Sequence, residues 1–327
     1  MTGVAGVALL TSVPCRFGAA LLFDGMPGRT RNAAASGEDR ISALPDALLL
    51  HTLSLLPSDE AVRTCVLARR WQNLWRYTPS LRLVHGLING SDSRFRSAEH
   101  FDKFASHLIV LRDRSPLVNC EITLFPYGTG DLRSCPYVQA AQLWIRYALA
   151  CHVKALRVTH CCGEQRLLLN VPFISRHLTA LHLESVILKC SMDFSSCPVL
   201  EDLEMQYCDI YMRKISSESL KRLCITGCYF LDQSRTRISV PGLISLQLDD
   251  CDSRTPLLES MPLLETGFIR LDQKCLDVCD NDSDGNCGQQ SCNGCHVVGG
   301  YQSVLLNSVS NAISLELIAA PDKVLWR

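Results

Sequence analysis

Two periodicities divide the chain. Near its start, Leu44, Leu48, Leu49, Thr52, Leu53 and Leu56 recur at three- and four-residue steps and predict one face of a helix. Pro45 suits the first turn, where its missing N–H is not needed, and Asp46 adds negative charge near the positive end of the helix dipole. Pro57 stops this helix. Ser58, followed by Asp59 and Glu60, starts a second helix with Val62, Val66 and Leu67 as its apolar residues. Trp71 and Trp75, four apart, share a face of a third, and Pro79 lies just beyond its end. Leu81-Arg82-Leu83 predicts a first short strand, and 86–93 a polar loop. A helix over 97–112 would bury Phe101, Phe104, Leu108 and Leu111. Val118, Cys120, Ile122 and Leu124 alternate with polar residues as in a half-buried strand, and a second long helix over 137–150 contains Trp144.

From residue 153 the pattern changes to a repeat. Val153-x-x-Leu156-x-Val158 is followed by Leu178-x-x-Leu181-x-Leu183 and Leu200-x-x-Leu203-x-Met205. Leu220-x-x-Leu223-x-Ile225, Leu243-x-x-Leu246-x-Leu248 and a degenerate Leu264-x-x-Gly267-x-Ile269 follow. First positions step by 25, 22, 20, 23 and 21 residues, inside the period of leucine-rich repeats. A last copy, Ala312-x-x-Leu315-x-Leu317, comes after a step of 48. Each copy supplies a short strand that cannot bury its own apolar face, so stacking is required and a parallel sheet is expected.

The N-terminal residues carry a resemblance. Leu44-Pro45-Asp46, a Leu-rich helix ending Leu53-Ser54-Leu55-Leu56-Pro57, the run Ala61-Val62-Arg63-Thr64-Cys65-Val66-Leu67-Ala68-Arg69-Arg70-Trp71 and then Leu74-Trp75 resemble a plant F-box. Cys65 stands where that family usually has Ser, and His51 interrupts a stretch usually aliphatic or polar. The order of F-box and then repeats, with the Trp144-Ile145-Arg146-Tyr147-Ala148 helix leading into the first repeat, is similar to the plant F-box/LRR-repeat group. The resemblance implies an α+β, or α/β solenoid, fold: a small helical F-box followed by a leucine-rich-repeat horseshoe with a parallel sheet. The expected division is a disordered leader over 1–38, the F-box over 39–83, a linking helix and strand region over 84–150, and repeats over 151–327 with an insertion at 272–300.

The function implied is that of a substrate-recognition subunit of a Skp-cullin-F-box ubiquitin ligase. It would have no catalysis and no cofactor of its own. Its partners would be a Skp-type adaptor, through it a cullin scaffold, and a protein substrate. Placement would be cytoplasmic or nuclear, where the adaptor is. Leu44, Pro45, Leu48, Leu49, Val62, Leu67 and Trp75 would be shared between the F-box core and the adaptor interface, with Leu44 and Pro45 foremost at the adaptor and Trp71 internal. The alternatives are a repeat scaffold without a ligase link and a truncated, non-functional family member, suggested by an end at Trp326-Arg327 soon after a predicted strand.

Composition narrows this further. Hydrophobic residues at 47% permit a sizeable core. A net charge of −1 argues against a nucleic-acid or membrane-surface role. Between 40 and 82, six Arg face only Asp46, Asp59 and Glu60, an excess too small for the basic face a helix-turn-helix DNA binder needs. A plain helical core is the other reading of that stretch. No Lys or Arg precedes the apolar residues 3–13, so no secretory signal is expected, although the Ala- and Gly-rich start has the look of a transit peptide. Among 18 cysteines, Cys190, Cys197, Cys208, Cys228 and Cys251 fall in turns beside the repeat strands and read as small buried apolar residues.

Candidate chemistry is sparse. Cys275, Cys279, Cys292 and Cys295 offer zinc-chelate spacing, but in a polar insertion that reads better as a solvated loop. Asp280, Asp282, Asp284 and Gly285 match half of a calcium loop, with Ser291 where the closing Glu belongs. No phosphate loop, His-Glu-x-x-His or Gly-x-Ser-x-Gly occurs. Within each repeat the residue between the last two apolar positions points outward. This column, Arg157, His182, Glu204, Cys224, Gln247 and Phe268, is the expected substrate-binding face on the concave side of the sheet.

Overall fold

The structure is a computed structural model that describes residues 43–86, 95, 97–112, 114–125, 137–161, 166–189, 192–231, 236–253, 255–271 and 309–319. It is an α+β chain dominated by one nine-stranded parallel sheet. The leader and the 272–300 insertion lie outside the described residues.

The first described elements are α1 (Asp46–Ser54) and α2 (Ser58–Arg63), each entered through a proline. Pro45 and Pro57 hold extended backbone at ψ 147° and 145°, so they are the residues before the helices rather than residues within them. Ser58 does not cap α2 as its position suggests. Its hydroxyl instead accepts the Arg82 amide at 3.0 Å. The expected third helix is two 3-10 turns, Arg69–Gln72 and Leu74–Tyr77, broken at Asn73. The Trp75 indole donates to the Gln72 carbonyl at 3.1 Å, which takes up that carbonyl within the turn. Both tryptophans are buried, as their spacing predicts.

Strand β1 (Ser80–His85) straddles residue 83 and joins the main sheet. Helix α3 (Ala98–Leu111) is capped by Ser97 and buries Phe101, Phe104 and Leu108. It returns the chain to β2 (Asn119–Leu124), and α4 (Val138–Ala150) returns it to β3 (Ala155–His160). These helix crossovers are the connections a parallel sheet needs.

Later returns are made by short strands. After β3 come β4 (Leu167–Leu169), β5 (Ala180–Glu184), β6 (Val186–Leu188) and β7 (Met192–Asp193). Then come β8 (Asp202–Gln206), β9 (Asp209–Ile210) and β10 (Lys214–Ser216). The next coil is β11 (Arg222–Thr226), β12 (Tyr229–Phe230) and β13 (Arg237–Ser239). β14 (Ser245–Asp249), β15 (Asp252–Ser253), β16 (Leu257–Leu258), β17 (Thr266–Leu271) and β18 (Ser314–Ala319) complete the described elements. The main sheet runs β1-β2-β3-β5-β8-β11-β14-β17-β18, while β15-β12-β9-β6-β4 and β16-β13-β10-β7 form two smaller sheets. The chain therefore winds repeatedly from the main sheet through the two small ones.

Register confirms the repeat spacing. Leu156, Leu181, Leu203, Leu223, Leu246, Gly267 and Leu315 stand side by side across the sheet. The Leu positions from 156 to 246 are buried. Gly267 breaks the series because a Cβ there would lie 2.7 Å from Leu315 Cδ1. The last copy is not enclosed: Leu315 is 37% exposed.

In the main sheet, β5, β8, β11 and β14 are each followed by one left-handed residue, Ser185, Tyr207, Gly227 and Asp250. A small buried residue follows each: Val186, Cys208, Cys228 and Cys251. The three thiols reach back to Leu183, Met205 and Ile225 carbonyls at 3.4, 3.5 and 3.7 Å. The apolar reading of Cys197, Cys208, Cys228 and Cys251 agrees with their burial. Cys190 lies outside the described residues.

Candidate functional site

Two surfaces collect the residues singled out by the sequence. The first is on the N-terminal helices. Leu49, Val62 and Trp75 are 1%, 1% and 3% exposed and belong to the protein's own core. Leu44, Pro45, Leu48 and Leu67 are exposed. Leu48 at 52% and Leu67 at 67% are large apolar side chains in contact with water, and Leu55, Val66 and Tyr77 add to them. These last three were not among the expected adaptor contacts. For Leu55 and Val66 the signal is that the apolar residues from 44 to 67 outnumber what one buried stripe can hold. Arg70 pairs with Asp46 at 2.5 Å and holds the start of α1 against the turn just after Leu67. An apolar set of this kind on a folded module is a protein-docking feature.

The second surface is the outer face of the main sheet. Arg157, His182, Glu204, Cys224, Gln247 and Phe268 do form one row across adjacent strands. The row extends further than the repeat predicts, because Arg82 and Glu121 stand in line with Arg157. Their alternation with Leu81, Leu83, Cys120 and Ile122 was the available signal. Arg82 pairs with Glu121 at 2.8 Å. His182 is 8% exposed, so it lies sunk between its neighbours rather than projecting. Its Nδ1 is 2.7 Å from Glu204 Oε2, and Nε2 is 3.7 Å from Glu184. Gln206 donates to the other Glu204 oxygen at 2.6 Å. Burial works to raise the Glu204 carboxyl, but His182, Gln206 and Arg157 outweigh it and its pKa falls below the usual value.

Above the start of this row lies a cleft of about 450 Å³, walled on one side by Ser54 and Leu55 at the end of α1. Arg82, Glu121, Arg157, His182, Asp202 and Glu204 line it. Gln247 and Phe268 lie outside that lining, further along the sheet. Cys275, Cys279, Cys292 and Cys295 fall outside the described residues, as does the Asp280–Gly285 stretch of calcium-like residues. Among the described residues no group of three or more His, Cys, Asp or Glu is arranged to hold a metal ion. No described helix is long and apolar enough to cross a membrane.

Fold and surfaces together define a helical module with an exposed apolar edge, joined to a parallel sheet built by repeated coils. The chain is similar in sequence to curated plant proteins. A putative F-box/FBD/LRR-repeat protein of Arabidopsis thaliana is 34% identical over 228 residues, covering 63% of this chain and 49% of the relative. An F-box/FBD/LRR-repeat protein of the same plant is 28% identical over 272 residues, covering 74% and 61%. An FBD-associated F-box protein is 29% identical over 276 residues, covering 72% and 62%. The chain is a relative of the plant F-box/LRR-repeat proteins. It spans roughly half to three fifths of the length of these relatives. No family model and no solved structure matches it.

Proposed function

We propose that this chain is a substrate-recognition subunit of a Skp-cullin-F-box ubiquitin ligase, without catalysis of its own. Residues 39–83 act as the F-box and bind a Skp-type adaptor, which links to a cullin. The coils from 151 onward act as a leucine-rich-repeat horseshoe that holds the target. Its contribution to ubiquitin transfer is proximity, by raising the local concentration of target lysines at the charged carrier. That role places it in the cytosol or nucleus.

The observation that carries this reading is the exposure of Leu44, Pro45, Leu48 and Leu67 while Leu49, Val62 and Trp75 fill the core beneath. The first four are the adaptor contacts and the last three support them. Leu44 and Pro45 lie outside the core, so their truncation removes little buried packing and its effect on capture reads mainly on binding. Co-purification of a Skp-type adaptor should fall by about tenfold or more in a Leu44→Ala, Pro45→Ala variant, the size of effect expected for interface anchors. Its sheet should remain folded. Because β1 belongs to the main sheet, point variants are needed here rather than removal of 39–83. Undiminished adaptor capture by the variant would overturn the assignment, and absence of capture by the native chain would favour a repeat scaffold without a ligase link.

A further inference from the structure

The cleft on the main sheet has a charge arrangement that selects an occupant. Its lining spans five adjacent strands, β1-β2-β3-β5-β8. On β1 and β2, Arg82 is neutralised by Glu121. On β5 and β8, His182 is hydrogen-bonded to Glu204. Asp202, at the far side, pairs with Arg222. Arg157 stands on β3, the middle strand of the five. Its side chain is exposed and, among the described residues, makes no hydrogen bond or ion pair. Its reach into the field of Glu204 is only a minor contribution there. Beside it on the same face, Ala155 and Ala180 leave the floor low.

The cleft thus offers one uncommitted cation at its centre with satisfied pairs on both flanks. Four strand spacings amount to roughly 19 Å, the length of about six extended residues. Charge count separates the anion classes. A carboxylate balances one guanidinium, whereas a phosphate dianion would bring surplus charge beside Glu121, Glu204 and Asp202.

We infer that this cleft binds an extended peptide segment of a partner protein with an Asp or Glu side chain seated on Arg157. This rests on the reading of the sheet face as the substrate surface. The carboxylate accepts from the Arg157 guanidinium, and the flanking residues of the segment run across the strands toward Arg82 on one side and His182 on the other. The wall formed by Ser54 and Leu55 covers one side of the segment.

The test uses the full chain and a fluorescein-labelled hexapeptide, Gly-Ser-Ala-Glu-Ala-Ser, with versions carrying Gln or phosphoserine in place of Glu. The Glu peptide should bind about fivefold tighter than the Gln peptide, the upper range for a largely exposed pair. Arg157→Gln should reduce that ratio to one, and Arg157→Lys should keep most of it. Both variants should melt close to the native chain, since the Arg157 side chain makes no hydrogen bond or ion pair and its effect on Glu204 is minor. A native ratio of one, no binding of the Glu peptide at millimolar concentration, an unchanged ratio in Arg157→Gln, or tighter binding of the phosphoserine peptide would each overturn the inference. Adaptor capture is measured in the same preparations. Loss of the Glu preference with adaptor capture intact tests the cleft alone, and loss of adaptor capture with the preference intact tests the ligase reading alone.

Discussion

The guanidinium of Arg112 donates to both the hydroxyl and the carbonyl of Thr78, each at 2.7 Å. A third bond, at 3.0 Å, goes to the Trp75 carbonyl. Arg112 follows α3 and is 1% exposed. Burial pulls its pKa down from the ordinary value. One side chain therefore ties the end of the Leu74–Tyr77 turn to α3, at the point where the N-terminal helices meet the sheet. Arg112→Met should destabilise the chain by about 3 kcal/mol, because three acceptors lose charge-assisted partners in a dry site. Arg112→Lys should recover only part, since an ammonium cannot reproduce the fork. Urea unfolding followed by tryptophan fluorescence reads both, and a midpoint unchanged in Arg112→Met would refute this account.

The repeats were readable because stacking imposes a fixed spacing on every buried position. Their beginning was harder to see. Leu81 and Cys120 stand in the same ladder as Leu156, yet those strands are separated by steps of 39 and 36 residues. The helices α3 and α4 fill these steps and carry them outside the repeat period. Arg82 and Glu121 were missed as members of the outer row for that reason. The adaptor candidates were legible as a set but not divisible. Helical spacing places Leu48 and Leu49 on adjoining parts of one stripe, and only tertiary packing into the common core decides that Leu49 is covered and Leu48 is not.

The turn after β11 differs from its neighbours in one respect. Ser185, Tyr207 and Asp250 tolerate left-handed backbone, so Gly227 at φ 60° is not required by its conformation alone. A Cβ there would lie 2.6 Å from the Tyr207 ring. Gly227→Ala should cost about 2 kcal/mol from left-handed strain and ring displacement together. Tyr207→Ala should relieve part of that loss. A double-mutant cycle in urea measures the coupling, and additive single effects would contradict the packing explanation.

The buried thiols lead to a chemical expectation. Burial pushes the Cys120 and Cys251 pKa values up to about 12. Since the thiolate is the nucleophile, at pH 8 only about one molecule in ten thousand carries it at either position. Iodoacetamide should leave both unmodified in the folded chain and alkylate both in urea, as resolved by peptide mass spectrometry. Alkylation of Cys251 in the native chain at its unfolded rate would show that the coil opens there.

Glu204 supplies a pH dependence with a definite sign. Its folded pKa lies below the ordinary carboxyl value of 4.5, because His182, Gln206 and Arg157 outweigh its burial. A carboxyl with a lowered folded pKa contributes stability above its unfolded value and loses it as pH falls through the folded one. Glu204→Gln should therefore be less stable than the native chain at pH 6 to 7. The gap should stay below about 1 kcal/mol, because the side chain is 39% exposed and water screens the pair. It should narrow as pH falls below 4.5 and close once Glu204 is protonated in both folded and unfolded chains. Thermal melts of the two proteins across that range measure the gap. A difference that grows toward acid would mean that the carboxylate of Glu204 opposes folding rather than supporting it, and that the His182 contact does not offset its burial.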